Sequence, residues 1–199
     1  MDYIFPFDTN INYPQRKKMM MQEPHLIWLT GLSGSGKTSL ALRLEHYLFQ
    51  HGYKAFLLDG DNVRNGLNKD LGFTEEDRKE NLRRIGEVAK LMLNAGLVVI
   101  CAFISPYKTE RDAIKKIAGE ERFIEVYVNC PVNVCEERDV KGLYAKARKG
   151  IIPNFTGISA PYEMPLNPDV EVKTAEESAE ESLSKIIQFI EPKIKARNE

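Results

Sequence analysis

Gly31-Leu32-Ser33-Gly34-Ser35-Gly36-Lys37-Thr38 satisfies every fixed position of the phosphate-binding pattern G-x-x-x-x-G-K-[ST]. The flanks suit it. Residues 25–30 (HLIWLT) read as a short buried strand, and residues 39–48 read as a helix with apolar side chains at 40, 44, 47 and 48. Glycines let successive backbone N–H groups converge on one point, and a helix N-terminus adds a positive dipole end. Lys37 brings a mobile charge to the outer phosphates, and the Thr38 hydroxyl is of the kind that ligates Mg²⁺. A glycine- and serine-rich turn by itself would be only a turn. The complete pattern between a strand and a helix specifies a nucleoside triphosphate site.

The 199 residues allow one domain with a core of its own. Basic and acidic residues number 28 and 29, so no global field draws nucleic acid or an anionic membrane, and an anionic substrate must be held by a local cluster. Cys101, Cys130 and Cys135 lack zinc-type pairing, and His25, His46 and His51 lie apart from them in sequence. The cysteines read as reduced, partly buried thiols of a cytoplasmic protein. The longest apolar run, near 97–104, falls well short of the ~20 residues of a membrane span, and the first ten residues do not resemble a secretory signal. Residues 1–23 show no periodicity and read as an arm before a domain over 24–199, with Arg16, Lys17 and Lys18 in a solvated turn.

Beyond the first helix, Gly52 is a stop and residues 54–59 form a second strand that ends in acid. Ligands of open α/β sheets gather at the carboxyl ends of the strands, which makes Asp59 and Asp61 candidates for the same crevice as the phosphate loop. Asp-Gly and Asp-Asn pairs also form ordinary turns. A helix is expected over 75–94, capped by Thr74-x-x-Asp77, with the stripe Leu82, Ile85, Ala89, Met92 and Leu93. Carried backward at helical spacing, the stripe reaches Arg78 and Asn81 and leaves Lys79, Arg83 and Lys90 in solvent. An inward arginine needs an anion, either a ligand or Asp59 or Asp61, and Arg64 would lie close.

Residues 97–103 form a continuous apolar run, as expected of a central parallel strand. Thr109-x-x-Asp112 reads as the cap of the next helix, and Gly119 precedes a strand over 123–128. Residues 131–150 turn basic, through Arg138, Lys141, Lys146, Arg148 and Lys149, and suit either a solvated helix or a lid over phosphates at about 138–150. Residues 154–163 read as an irregular loop with an exposed aromatic. A strand over 170–173 leads through Thr174-x-x-Glu177 into a terminal helix ending near Pro192. Alternating strands and helices specify a parallel sheet with helices on both faces and a small helical lid, the P-loop kinase arrangement. A GTPase switch is disfavoured: Asn68-Lys69-Asp70-Leu71 fails N-K-x-D, and Asp139-Val140-Lys141-Gly142 fits D-x-x-G only inside the basic segment.

Taken together, Gly31–Thr38, Asp59-Gly60-Asp61-Asn62-Val63-Arg64, Asp77-Arg78-Lys79-Glu80-Asn81, Phe103-Ile104-Ser105-Pro106-Tyr107, Asp139–Tyr144 and Phe155–Glu163 resemble the adenylylsulfate kinase family, in the family's order, from about residue 24 onward. The resemblance implies transfer of the ATP γ-phosphoryl group to the 3′-hydroxyl of adenosine 5′-phosphosulfate (APS). The product would be 3′-phosphoadenosine 5′-phosphosulfate (PAPS), in sulfate assimilation. It implies ATP contacts at Gly31, Leu32, Ser33, Gly34, Ser35, Gly36, Lys37, Thr38, Ser39, Arg138 and Thr174, with Mg²⁺ at Thr38 and Asp61. APS would meet Asp59, Arg64, Phe73, Arg78, Asn81, Ile104, Ser105, Lys141 and Phe155, its adenine between the two phenylalanines and its phosphosulfate on Arg64, Arg78 and Asn81. Asp61 would orient or deprotonate the 3′-hydroxyl, beside Lys37 as a catalytic group. The position of Ser105 is named in the family as a phosphoserine, although a phosphate loop, lid and acid suffice for direct in-line transfer. A homodimer is also implied. Ala145 departs from the pattern, standing where many relatives carry a second lid lysine. Two other readings share the loop: a P-loop kinase for a sugar, a shikimate-like acid or a nucleoside monophosphate, and a non-catalytic nucleotide-binding module of a sulfate-activating complex.

Overall fold

The computed structural model describes residues 3, 5 and 9–196. Helix α1 (Tyr13–Met20) is followed by β1 (Leu26–Thr30), α2 (Lys37–Gln50), β2 (Ala55–Asp59), the short α3 (Gly60–Arg64), α4 (Glu75–Asn94) and β3 (Val98–Ala102). The chain continues through α5 (Lys108–Ala118), β4 (Phe123–Asn129), the short α6 (Val132–Arg138) and α7 (Leu143–Arg148), β5 (Val170–Lys173) and α8 (Ala179–Ile194). The five strands are parallel, in the order β2-β3-β1-β4-β5. Strand order reverses at β1, so the crevice at its carboxyl end is where a ligand is expected.

Alternation along the strands divides the core in two. Ile27, Leu29, Ile100, Val126 and Val128 face Leu40, Leu44 and Leu48 of α2 and Ile186, Ile190 and Ile194 of α8. Leu26, Trp28, Val99 and Cys101 face Leu82, Ile85, Ala89 and Leu93 of α4 and Ile114 and Ala118 of α5. Both faces of β1 and β3 are buried, which is why those strands are apolar apart from Thr30 at the end of β1. Among the described residues no helix is long and apolar enough to cross a membrane.

Several local expectations are corrected. Arg16, Lys17 and Lys18 lie inside α1, because Asn12 and Gln15 form a capping box with Pro14 in the first turn. The arm is tied down at its end: buried Gln22 donates to Lys54 O and Gly96 O at 2.9 and 2.8 Å and accepts from Lys54 N at 2.8 Å. Thr109 does not cap α5, which starts one residue earlier behind Tyr107 with no side-chain cap of its own. Glu163 reaches over instead and accepts from Lys108 N. The cap of α8 is Ser178 with Glu181, one quartet beyond Thr174, and the helix carries Pro192 within its last turn.

Candidate active site

The phosphate loop joins β1 to α2 at the switch point, and close approach explains two of its glycines. A Cβ on Gly31 would lie 2.5 Å from Val128 O, and one on Gly34, at φ +76°, 2.9 Å from Cys135 O. Lys37 folds back over the loop and donates to Leu32 O at 2.6 Å. Burial pulls its pKa down to about 8, and the charges of Cys135, Asp59 and Asp61 offset only part of the effect. Ser39, by contrast, is exposed in the first turn of α2.

Arg138 and Thr174 clasp this loop from outside. Thr174 Oγ1 donates to Ser35 O at 2.8 Å, and Arg138 Nη2 donates to Thr174 O at 2.6 Å. Arg138 therefore belongs to the end of α6, not to a free lid. The basic segment is not solvated throughout: Tyr144 and Ala147 of α7 are buried with Leu32, Cys130, Cys135 and Phe155, and Tyr144 OH donates to Ser33 O at 2.8 Å. Asp139 accepts from Tyr144 N and Ala145 N, which starts α7. The three cysteines are free and buried, and burial pushes the Cys135 thiol up to about 12.

At the end of β2, Thr38 Oγ1 donates to Asp59 Oδ2 at 2.9 Å, while Asp59 Oδ1 accepts from Asp61 N and caps α3. The carboxylate bonded to Thr38 is that of Asp59; Asp61 is 71% exposed and forms an ion pair with Lys141 of the α6–α7 connection.

Farther out, Arg64 donates to Leu71 O and Gly72 O and lies 4.6 Å from the ring centroid of Phe73. Arg78 donates to Phe73 O, Thr156 Oγ1 and Asn154 O at 3.0, 3.1 and 2.9 Å. Neither forms an ion pair with Asp59 or Asp61 among the described residues. Burial lowers the Arg64 pKa, and the like charge of Arg78 adds to it, so the pair makes an anion-seeking corner. Asn81 faces inward as expected, is 4% exposed, and accepts from Asn68 Nδ2 at 2.9 Å. The two phenylalanines differ: Phe73 is 68% exposed, whereas Phe155 is only 8% exposed and packs edge-on to Tyr144 at 4.9 Å. Phe155 is buried in its loop, with Tyr144 of α7 packed against it.

Ser105 is buried at φ +41°. Its hydroxyl accepts from Trp28 Nε1 at 3.0 Å and donates to Thr30 Oγ1 at 2.9 Å, while Thr30 donates to Ile104 O at 2.7 Å. The turn is held by Arg111, absent from the sequence reading, which donates to Ser105 O and Glu163 O at 2.8 Å each and pairs with Glu125 at 2.9 Å. Helical spacing from Ile114 back to Arg111 would have found it, as it found Arg78 and Asn81.

Residues 23–173 match the family model described as adenylylsulphate kinase. The adenylyl-sulfate kinase of Staphylococcus epidermidis is 51% identical over 183 residues, 92% of each chain. That of Bacillus pumilus is 50% identical over 194 residues, 98% of each chain. An APS kinase of Mycobacterium tuberculosis, solved in complex with AMPPNP and APS, superposes with a TM-score of 0.81 at 45% identity, covering 85% of this chain and 98% of that one.

Proposed function

The chain belongs to the adenylylsulphate kinase family and transfers the ATP γ-phosphoryl group to the 3′-hydroxyl of APS; we propose how its own residues carry that reaction. The observation that carries the assignment of roles is the position of Asp61. It stands between Asp59, which bonds Thr38, and Arg64, one turn farther along α3, and it meets Lys141 across the crevice.

ATP lies along the phosphate loop, with Lys37 leaving Leu32 O for the β- and γ-phosphates and Arg138 and Thr174 bordering the adenine end. Thr38 Oγ1 and the Asp59 carboxylate, 2.9 Å apart, are hard oxygen donors of the kind Mg²⁺ takes. They would hold it with ATP, where it supplies charge neutralisation to the phosphoryl oxygens. APS occupies the other side, its phosphosulfate on Arg64, Arg78 and Asn81 and its adenine against Phe73. The exposed face of Phe73 suits stacking on a flat base. Asp61 accepts the 3′-hydroxyl proton once Lys141 turns to the transferring phosphoryl group. Transfer is direct: the Ser105 hydroxyl is buried and engaged on both sides, so it shapes the APS pocket and is not a phosphate carrier. The three buried thiols fit a reducing cytoplasm. The homodimer implied by the resemblance is part of the same proposal and is read by light scattering of the purified protein.

The test is incubation with Mg-ATP and APS, following ADP and PAPS together. Stoichiometric products are expected, with kcat falling roughly 10²- to 10⁴-fold in Asp61→Ala, the usual span for loss of a general base. ATP loss without PAPS would point to another acceptor, and no turnover to a binding module. Ser105→Ala should keep turnover within about tenfold, because the two buried hydrogen bonds it removes, to Trp28 and Thr30, lie at the pocket wall and not on the reacting atoms. Isolation of a chemically competent phosphoserine enzyme would overturn direct transfer.

A further inference from the structure

We infer that Asn68 is a positioning residue whose donor holds the Asn81 amide with Nδ2 toward the substrate. The inference rests on the proposed contact between Asn81 and APS. Asn68 lies in the connection between α3 and α4, held there by its backbone N–H on Val63 O at 3.0 Å, and it is fully buried. Its Nδ2 donates to Asn81 Oδ1 at 2.9 Å.

An asparagine amide presents an acceptor at one end and two donors at the other, and the two orientations occupy nearly the same space. Asn68 Nδ2 donates to the orientation with Oδ1 inward and so stabilises it. With Oδ1 of Asn81 taken, the end left for a ligand is Nδ2, which has no partner among the described residues. An anionic group beside Arg64 and Arg78 needs that end; the reverse orientation would set oxygen lone pairs against the anion.

The other end of Asn68 supports a role in binding over one in folding. Asn68 Oδ1 is buried and has no hydrogen-bond partner. A leucine of similar volume would remove that orphaned acceptor and leave Asn81 Oδ1 without its donor instead, so what the amide adds is the bond to Asn81.

Asn68→Asp replaces that donor by a carboxylate oxygen and so turns Asn81 round, its Nδ2 now drawn inward. The expected result is a rise of roughly tenfold or more in KM for APS, the scale of a lost hydrogen bond to a charged group. KM for ATP should stay within about twofold, because the ATP contacts are untouched. Asn68→Leu should raise KM for APS while changing the melting temperature little, because one unpaired buried acceptor replaces another, whereas a purely structural role would not separate the two readouts. In an Asn81→Ala background either substitution should have no further effect on KM for APS. An unchanged KM for APS in both variants overturns the inference. So does an equal rise in KM for ATP, or an effect that persists undiminished without Asn81. If Asn81→Ala itself leaves KM for APS unchanged, the assignment of Asn81 falls and takes the inference with it; if wild type makes no PAPS, the proposed reaction falls.

Discussion

The two halves of the crevice are built by different physics. The donor half is packed: Leu32, Cys135, Tyr144 and Phe155 form a small core under the phosphate loop, and the loop backbone touches Val128 and Cys135 too closely for side chains at Gly31 and Gly34. The acceptor half is strung on charged hydrogen bonds. Arg78 spends three of its five N–H groups on Phe73, Asn154 and Thr156, and Arg64 spends its own on Leu71 and Gly72. A packed loop keeps its shape with or without nucleotide. An arginine on carbonyl oxygens has donors to spare and can share them with an arriving anion, so the acceptor half is where substrate should remodel the protein.

The sharpest way to break this contrast is Arg78→Ala. Loss of charged hydrogen bonds at about 1.5–3 kcal/mol should raise KM for APS roughly 10- to 100-fold, with KM for ATP nearly unchanged. Arg78→Lys should rescue little, since an ammonium cannot span Phe73, Asn154 and Thr156 at once. Steady-state kinetics with each substrate varied in turn would show an equal loss for both if the halves were not separate.

Gly34→Ala tests the packed half. A side chain at φ +76° that also meets Cys135 O at 2.9 Å should cost about 1–3 kcal/mol of stability. Denaturant unfolding measures that, and the kinetic penalty should fall on ATP. Unchanged stability would mean that the loop yields easily and is not held by packing.

The smallest effect is a proton. Lys37 titrates near 8 in the nucleotide-free protein because burial disfavours its charge. Triphosphate must raise that value, so ATP binding should take up a proton at pH 8.5–9 and almost none at pH 6.5. Calorimetry in buffers of different ionisation enthalpy reads the uptake directly. The folding linkage has the sign of a depressed lysine: between about 8 and the ordinary 10.5 the unfolded chain holds more protons, so this group's penalty on folding eases as pH rises through that window.

How legible the molecule was in its sequence follows the same division. The strands of the core and α4 could be read because continuous apolar runs and an amphipathic stripe are local signals, and the stripe also turned Arg78 and Asn81 inward. The caps of α5 and α8 could not. Thr174-x-x-Glu177 and Ser178-x-x-Glu181 are equivalent as local patterns, and what separates them is Ser35, whose carbonyl takes the Thr174 hydroxyl from far away in the chain. The burial of Phe155 could not be read either, because its neighbours in sequence are polar and its cover, Tyr144, comes from α7. Asp59 and Asp61 were equally good partners for Thr38 until the strand end chose between them.

Gln22 sets where the folding unit can be cut. A chain begun at Pro24 would look complete by motif, but it would strip Lys54 and Gly96 of the three hydrogen bonds that the Gln22 amide makes beneath the sheet. It would also lose the seat of Met20, whose side chain fills the space where a Cβ on Gly96 would fall. A shortened protein that keeps residues from Asn12 onward retains α1 with its capping box. The smallest self-sufficient version of this enzyme therefore begins about a dozen residues before the stretch that resembles the family.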